Sequence, residues 1–166
     1  ATADGSRAYC DEAGCEERIG LGVLARTTED LDQDEGFHGY RCAVAANTVY
    51  DCAAPGPFVQ LSAFLDAAED DVGSECAQGC PENTTFDELD RQERSSATDV
   101  LRGGAVTLSF WAVGDQLACV FDGAGGEEVT ARAQDTRFAS GGAGLSVLNA
   151  QGAFDDVRVC QALALP

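Results

Sequence analysis

The second half of the chain repeats short, β-rich segments separated by tight turns, and this spacing limits the possible folds more than any other feature. The segments alternate apolar and polar side chains, and clusters of Gly, Ser and Asn stand between them. They lie at residues 105–113, 116–121, 129–133, 144–148 and 154–159, with turns at Gly114-Asp115 and Asp122-Gly123. Strands at such regular spacing are typical of an all-β sandwich or barrel.

The first half also contains strand candidates, at residues 18–26, 39–46 and 58–66. We predict that residues 39–46 pair with residues 49–52 in a hairpin. Residues 86–101 are ambiguous, because their charged side chains can exchange i,i+3 and i,i+4 pairs on a helix. They can equally form a polar strand, and we favour the strand because the surrounding segments are β-rich.

One domain is expected from a length of 166 residues. Residues 1–17 are small, polar and acidic, and predict an N-terminal loop or tether ahead of a domain at residues 18–166. The chain begins at Ala1 and contains no Met, so we expect a processed product or an excised piece.

The chain is strongly acidic, with 29 Asp and Glu against 10 basic residues, all Arg, and a net charge of −19. Such a surface repels nucleic acid and anionic membranes. No apolar run is long enough to cross a bilayer. We therefore expect neither a nucleic-acid partner nor membrane insertion.

The eight cysteines are an even number, which in an exported protein predicts disulfide bonds. A metal site would need CxxC pairs or Cys/His clusters, and the only His is His38. Spacing suggests the pairs Cys42–Cys52, Cys10–Cys15 and Cys76–Cys80, which leaves Cys119 with Cys160, although sequence does not fix this connectivity. The cysteines predict an extracellular or cell-surface location.

A row of carboxylates follows the first strand candidate. The spacing Asp30-x-Asp32-x-Asp34 is similar to that of calcium loops. An EF-hand requires Gly at the sixth place and Glu at the twelfth, where this chain has Glu35 and Arg41. The EF-hand interpretation fails, and a looser cation loop and a solvated turn remain.

A series of motifs in the second half carries a family resemblance. Residues 107–111, 114–123, 135–145 and 154–159 read TLSFW, GDQLACVFDG, DTRFASGGAGL and FDDVRV. In this order they resemble the concanavalin A-like (laminin G/glucanase) jelly-roll superfamily, in its bacterial secreted members, over residues 19–159. The resemblance implies an antiparallel jelly-roll β-sandwich, which the cysteines would staple with disulfides.

The resemblance also implies a missing strand. Members of the family carry more residues upstream, including a first strand that pairs near the last one. An unfilled sheet edge exposes backbone donors and acceptors. Either residues 1–17 fill this edge, or a second copy or a partner chain fills it by strand addition.

Asp155 is the candidate metal ligand. On a strand at residues 154–159 it shares its face with Val157 and Val159, and a buried carboxylate needs a partner. The resemblance implies that this partner is a structural calcium ion. An Arg partner, or a position just outside the core, is the alternative.

Glu88, Asp90 and Glu93 form the pattern E-x-D-x-x-E. In retaining endo-glucanases that the chain resembles, this pattern supplies nucleophile, helper and acid/base, with two carboxyl groups about 5 Å apart. On a strand Glu88 and Asp90 share a face, and Glu93 joins them only through a bulge. Arg91 and Gln92 replace the family's apolar residues, so we favour a charged surface segment and predict no catalytic residue.

Three functions follow, in this order of preference. The first is a secreted, non-catalytic module for glycan binding, adhesion or cell-surface attachment. The second is a structural subunit of an extracellular filament or assembly completed by strand exchange. The third is a retaining glycoside hydrolase that uses Glu88 and Glu93.

Overall fold

The regular structure of the chain is entirely β in the residues that the structure describes. The computed structural model describes residues 2–4, 15–16, 18–29, 37–47, 57–67, 75–76, 86–93, 104–123, 126–148 and 151–161. The strands are β1 (Thr2–Asp4), β2 (Cys15–Glu16), β3 (Arg18–Glu29), β4 (Phe37–Asn47), β5 (Pro57–Ala67), β6 (Glu75–Cys76), β7 (Phe86–Glu93), β8 (Val106–Val113), β9 (Gln116–Gly123), β10 (Glu128–Gln134), β11 (Gly142–Leu148) and β12 (Gln151–Ala153). None of these ranges contains a helix long and apolar enough to span a membrane. The all-β prediction is confirmed.

Two antiparallel sheets of unequal width make up the body of the fold. One has five strands in the order β11-β3-β4-β5-β7, and the other has three in the order β10-β9-β8. Two short strand pairs, β1 with β12 and β2 with β6, stand apart from them. The larger sheet is two strands wider than the smaller, so part of it has no opposing strand among the described residues.

The core lies between the two sheets, where alternate residues of each strand meet. Leu21, Val44 and Leu61 face inward from the larger sheet, and Leu117 and Phe121 from the smaller one. Burial of these side chains is the main stabilising contribution, at about 1.5–3 kcal/mol for each large apolar side chain. The centre of the larger sheet is also buried on its other face, where Phe58, Gln60, Ser62 and Phe64 of β5 have almost no exposed surface.

A disulfide bond joins the two sheets through this core. Cys42 on β4 bonds to Cys119 on β9, with their Cα atoms 5.1 Å apart, and both residues are buried. They are 77 residues apart in sequence, because strands that face each other across a sandwich come from distant parts of the chain.

Two of the glycines with positive φ show why glycine is needed at their positions. Gly114, with φ of 61°, makes the tight turn between β8 and β9 that its sequence predicts. Gly141, with φ of 151°, passes so close to β3 that a Cβ atom there would lie 2.4 Å from the carbonyl carbon of Arg26. This close approach lets β11 lie alongside β3.

Most strand predictions are confirmed. Strands observed at residues 106–113, 116–123, 128–134 and 142–148 agree with the predicted segments to within two residues. The larger-sheet strands at residues 18–29, 37–47 and 57–67 likewise contain the predicted ones. The ambiguous segment is a strand over Phe86–Glu93, and its remainder, from residue 94 to 101, lies outside the described residues.

The prediction of a last strand at residues 154–159 is wrong. The last strand is β12 (Gln151–Ala153), and no strand follows it up to residue 161. Asp156 has φ of 53°, a left-handed conformation that interrupts an extended chain. Val157 and Val159 are consequently exposed rather than buried.

The predicted cysteine pairs Cys42–Cys52 and Cys119–Cys160 are also wrong, because Cys42 and Cys119 bond to each other and the exposed Cys160 carries a free thiol. The hairpin behind the first pair does not form, since β4 pairs with β3 on one side and β5 on the other. The pairs Cys10–Cys15 and Cys76–Cys80 include residues outside the described ranges. The backbone register places Cys15 opposite Cys76.

The N-terminal segment differs from the predicted loop or tether in two places. Thr2–Asp4 pairs with Gln151–Ala153, and Cys15–Glu16 pairs with Glu75–Cys76. The strand at the N-terminus therefore lies beside the last strand, but it does not extend the three-stranded sheet. The domain boundary between residues 17 and 18 stays a prediction.

Candidate functional site

Strand β7 carries the acidic motif at the edge of the five-stranded sheet. A bulge divides its side chains between two faces. Glu88 is paired with Ser62, whereas Asp90 is paired with Leu61, so Leu89 is the extra residue. Ser62 belongs to the outer face of the sheet and Leu61 to the core face. Glu88 and Asp90 therefore lie on opposite faces, and the prediction that they share one is wrong.

The outer faces of β5 and β7 form a polar surface that we call the polar row, made of Gln60, Ser62, Glu88, Arg91 and Glu93. The buried Gln60 donates a hydrogen bond from its Nε2 to Glu88 Oε2. Arg91 donates from Nε to Glu93 Oε1 at 2.8 Å. The Arg91 guanidinium also lies 3.7 Å from the ring centroid of Phe58, a cation–π contact that fixes its orientation.

Exposure increases along the polar row towards the sheet edge. Gln60 and Ser62 on β5 are buried, Arg91 is half-buried, and Glu88 and Glu93 are exposed. Within the described part of the chain, the buried Ser62 hydroxyl has no hydrogen-bond partner. The row therefore offers solvent-facing acceptors and a donor at its outer end, with neighbours that hold them in place.

Asp90, on the opposite face, ties the two sheets together. Its Oδ2 accepts a hydrogen bond from the backbone N–H of Arg132 at 2.8 Å. Arg132 lies on β10, the edge strand of the smaller sheet, and this N–H points away from β9. Asp90 Oδ1 also accepts from Gln92 Nε2 at 3.0 Å. The aspartate thus satisfies a backbone donor that an open sheet edge would leave free.

This geometry does not suit a retaining glycosidase. Glu88 and Glu93 are paired with Ser62 and Phe58, four residues apart on β5, a separation of roughly 13 Å along the strand. Retaining enzymes place their two carboxyl groups about 5 Å apart, and inverting enzymes at most about 9.5 Å. Asp90, the third member of the motif, faces the other side of the sheet.

A second polar cluster closes the same edge of the sandwich further along β7. Tyr40 on β4 donates its hydroxyl hydrogen to Asp135 Oδ1 at 2.8 Å. Arg137 donates from Nε to Asp135 Oδ2 at 2.7 Å and from Nη1 to Asp87 on β7 at 2.8 Å. The Phe138 backbone N–H donates to the Tyr40 oxygen at 3.1 Å, and the two rings meet edge-to-face at 5.0 Å.

The ionisable groups of this second cluster stabilise one another's protonation states. Burial acts to raise the pKa of Asp135, but hydrogen bonds from Arg137 and Tyr40 outweigh it, and the pKa of Asp135 lies below its ordinary value. The hydrogen bond to Asp135 raises the pKa of Arg137, with a smaller contribution from Asp87. Burial raises the pKa of Tyr40, so its hydroxyl stays protonated. These groups are fixed in one protonation state, which suits a structural connection better than proton transfer.

Sequence reasoning missed this second cluster. Asp135, Arg137 and Tyr40 all fall within segments that fit the family resemblance, but nothing in their spacing indicates that they meet. Arg26 was also missed. It has φ of 53° and donates from Nη1 to the carbonyl oxygens of Gly114 at 2.7 Å and Phe138 at 3.0 Å. No local pattern signals such contacts, because they depend on how the sheets are stacked.

Asp155 is exposed, outside any strand, so the reason for expecting a buried partner no longer holds. Its Oδ1 accepts a hydrogen bond from the adjacent Asp156 backbone N–H at 2.8 Å. Among the described residues, no three His, Cys, Asp or Glu form a group that could hold a metal ion. Calcium binding stays a prediction.

The chain matches no family model, no curated protein and no solved structure. The function is therefore inferred from the residues of the polar row and of the sheet edges.

Proposed function

We propose that the chain is a secreted, non-catalytic β-sandwich module that binds a glycan of a cell surface or matrix through the polar row. The observation that carries this proposal is the exposed outer end of the row, where Glu88 and Glu93 present acceptors on either side of the Arg91 donors. Sugar hydroxyls donate to carboxylates and accept from guanidinium groups, so both partners of each hydroxyl are available. The concanavalin A-like relationship is part of the same proposal.

Neutral sugars fit this surface better than acidic ones. The net charge of −19 repels sialylated and sulfated glycans at long range. The outer end of the row also has two carboxylates for one guanidinium. We therefore propose a neutral glycan as the ligand class. The disulfide through the core favours the oxidising environment in which such modules work.

A glycan array with the purified chain, followed by calorimetry on the best neutral hit, tests this proposal. We expect Glu88→Ala to weaken binding about tenfold or more, which is about 1.4 kcal/mol. Glu128→Ala is the matched control, because Glu128 is an exposed glutamate on β10 in the other sheet. Absence of any glycan binding, or equal losses in both variants, would contradict the proposal. No reducing sugar should be released from the bound glycan.

A second function, the structural subunit of an extracellular assembly, is favoured by a different observation. Leu145 and Val147 on β11 are 42% and 45% exposed, although they lie on the core face of the five-stranded sheet. The three-stranded sheet does not reach far enough to cover them. An apolar surface beside an open strand edge is typical of sites for strand addition. Sedimentation analysis at increasing protein concentration tests whether the chain assembles.

A further inference from the structure

The second candidate function leaves open what covers the free edge of the smaller sheet, and the following inference rests on that function. Strand β8 ends the three-stranded sheet and packs beneath β3 and β4. Strand β11 is the next strand beyond β3 in the larger sheet. The space next to β8 therefore lies beneath β11, and a strand added to this edge would lie about 4.8 Å from β8.

The apolar side chains of β11 point into this space. Leu145 is paired with Val23 and Val147 with Leu21, and both of these partners belong to the core or pack against it. Cross-strand partners share a face, so Leu145 and Val147 face the core side as well. From Thr107 to Val113, β8 has no strand partner on its second edge among the described residues.

A segment of the same chain has the matching properties. The described residues have four exposed large apolar side chains, namely Leu145, Val147, Val157 and Val159. The first two line the space beneath β11. The last two, at 57% and 78% exposure, lie on a segment that is in no strand. In the sequence, Val157, Val159, Leu163 and Leu165 fall on one parity together with the polar Gln161, and the other parity has Arg158, Cys160, Ala162 and Ala164.

The lack of acidic residues is a second property that this segment shares with β8 and β11. Residues 157–165 contain no Asp or Glu, in a chain that has 29 of them. Strands β8 and β11 also contain none. Two copies of a chain with net charge −19 repel each other over most of their surfaces, and an interface of segments that lack acidic residues, with Arg158 as their single charged side chain, avoids the closest repulsion.

The backbone conformation of Asp156 leaves the residues that follow it exposed. Phe154 packs against the core, and Asp156 then takes the left-handed conformation with φ of 53°. Val157 and Val159 after this turn are the most exposed large apolar residues that the structure describes. These two valines are presented to solvent rather than folded beneath β11.

We infer that residues 157–161 of one copy pair with the second edge of β8, between Thr107 and Val113, in a second copy, as a fourth strand that covers Leu145 and Val147. Val157 and Val159 of the donor face the core of the acceptor. Backbone hydrogen bonds to β8 supply affinity, and the alternating apolar side chains supply register. Reciprocal exchange would give a closed dimer, and one-way exchange would give a fibre.

A mixing experiment with the full 166-residue chain tests this inference. Val159→Asp disables the donor segment, and Leu145→Asp disables the acceptor surface. Each variant alone should lose the higher-mass species that the wild type forms in analytical ultracentrifugation. An equimolar mixture should regain a one-to-one complex, because each variant retains the half that the other lacks. Thr136→Asp adds the same charge to an exposed position at the other edge of the sandwich and should assemble like the wild type.

Circular dichroism melting first establishes that each variant is folded, and Leu145→Ser and Val159→Ser replace any variant that is not. A wild type that stays monomeric at every concentration overturns the inference, as does assembly that Val159→Asp leaves intact. Failure of the mixture to form a complex overturns it too. Glycan binding by monomeric wild type would leave the first proposed function standing while this inference fails.

Discussion

The two long edges of the sandwich differ in whether contacts within the chain close them. Along the edge formed by β7 and β10, polar contacts join the sheets, from Asp90 with the Arg132 N–H to Arg137 with Asp87. Along the edge formed by β8 and β11, the apolar side chains of Leu145 and Val147 are exposed. The first edge is closed within the chain, and the second has the features of an interface.

The comparison shows that a charged motif can include a structural contact and that an edge without charges can leave apolar surface exposed. The acidic motif on β7 has the pattern of a catalytic site, yet Asp90 serves to connect the sheets. The uncharged strands β8 and β11 have no motif at all, yet they leave apolar surface uncovered. Four experiments, in order of decreasing effect, test whether the two edges differ in this way.

The largest effect is expected at the centre, where the Cys42–Cys119 disulfide joins the two sheets. Replacing Cys42 and Cys119 by Ala should destabilise the fold by about 4 kcal/mol, because the bond closes a long loop in the unfolded chain. Urea unfolding with and without reductant measures this loss. Cys160→Ala, at the free exposed thiol, is the control and should unfold like the wild type. Equal stability of all three proteins would contradict a structural role for the bond.

Substitutions at the two edges should differ in cost. Asp90→Ala should destabilise the chain by about 0.5–1.5 kcal/mol, because it removes the hydrogen bond that Asp90 accepts from the Arg132 N–H. Asp90→Asn should cost less, since the amide oxygen can still accept. Val147→Ser at the open edge should change the stability of the monomer by about 0.5 kcal/mol or less, as expected for an exposed position. Chemical unfolding at low protein concentration makes the comparison, and equal losses at both edges would refute it.

The closed edge should also give the chain a specific sensitivity to acid. The pKa of Asp135 in the folded chain lies below its ordinary value of 3.8, so its contribution to stability is complete above pH 3.8. This contribution should be lost as the pH falls through the lowered pKa. Asp135→Asn should remove that part of the pH dependence, and Tyr40→Phe should reduce it. Unfolding free energies measured over this range test the assignment, and an unchanged acid profile in Asp135→Asn would count against it.

Sequence patterns predicted most strands but few of the contacts between them. Period-two alternation and Gly-containing turns located β8 to β11, because these signals are local. The partner of Cys42 could not be predicted, since it depends on which strands stack across the core. The bulge at Leu89 could not be predicted from the sequence either, and it places Glu88 and Asp90 on opposite faces. Val157 and Val159 alternate as a strand does, but Asp156 turns the chain, and we propose that their strand partner lies in another copy.

Amide hydrogen exchange followed by NMR at several protein concentrations tests the contrast between the two edges most directly. The Arg132 amide should be protected at every concentration, because Asp90 accepts its hydrogen within the chain. The outward-facing amides of β8 between Leu108 and Val113 should exchange rapidly in dilute solution and become protected as the concentration rises. Two results would contradict this contrast: the Arg132 amide exchanging as fast as these β8 amides, or β8 being fully protected in the dilute monomer. Either result would mean that the two edges do not differ in whether the chain itself closes them.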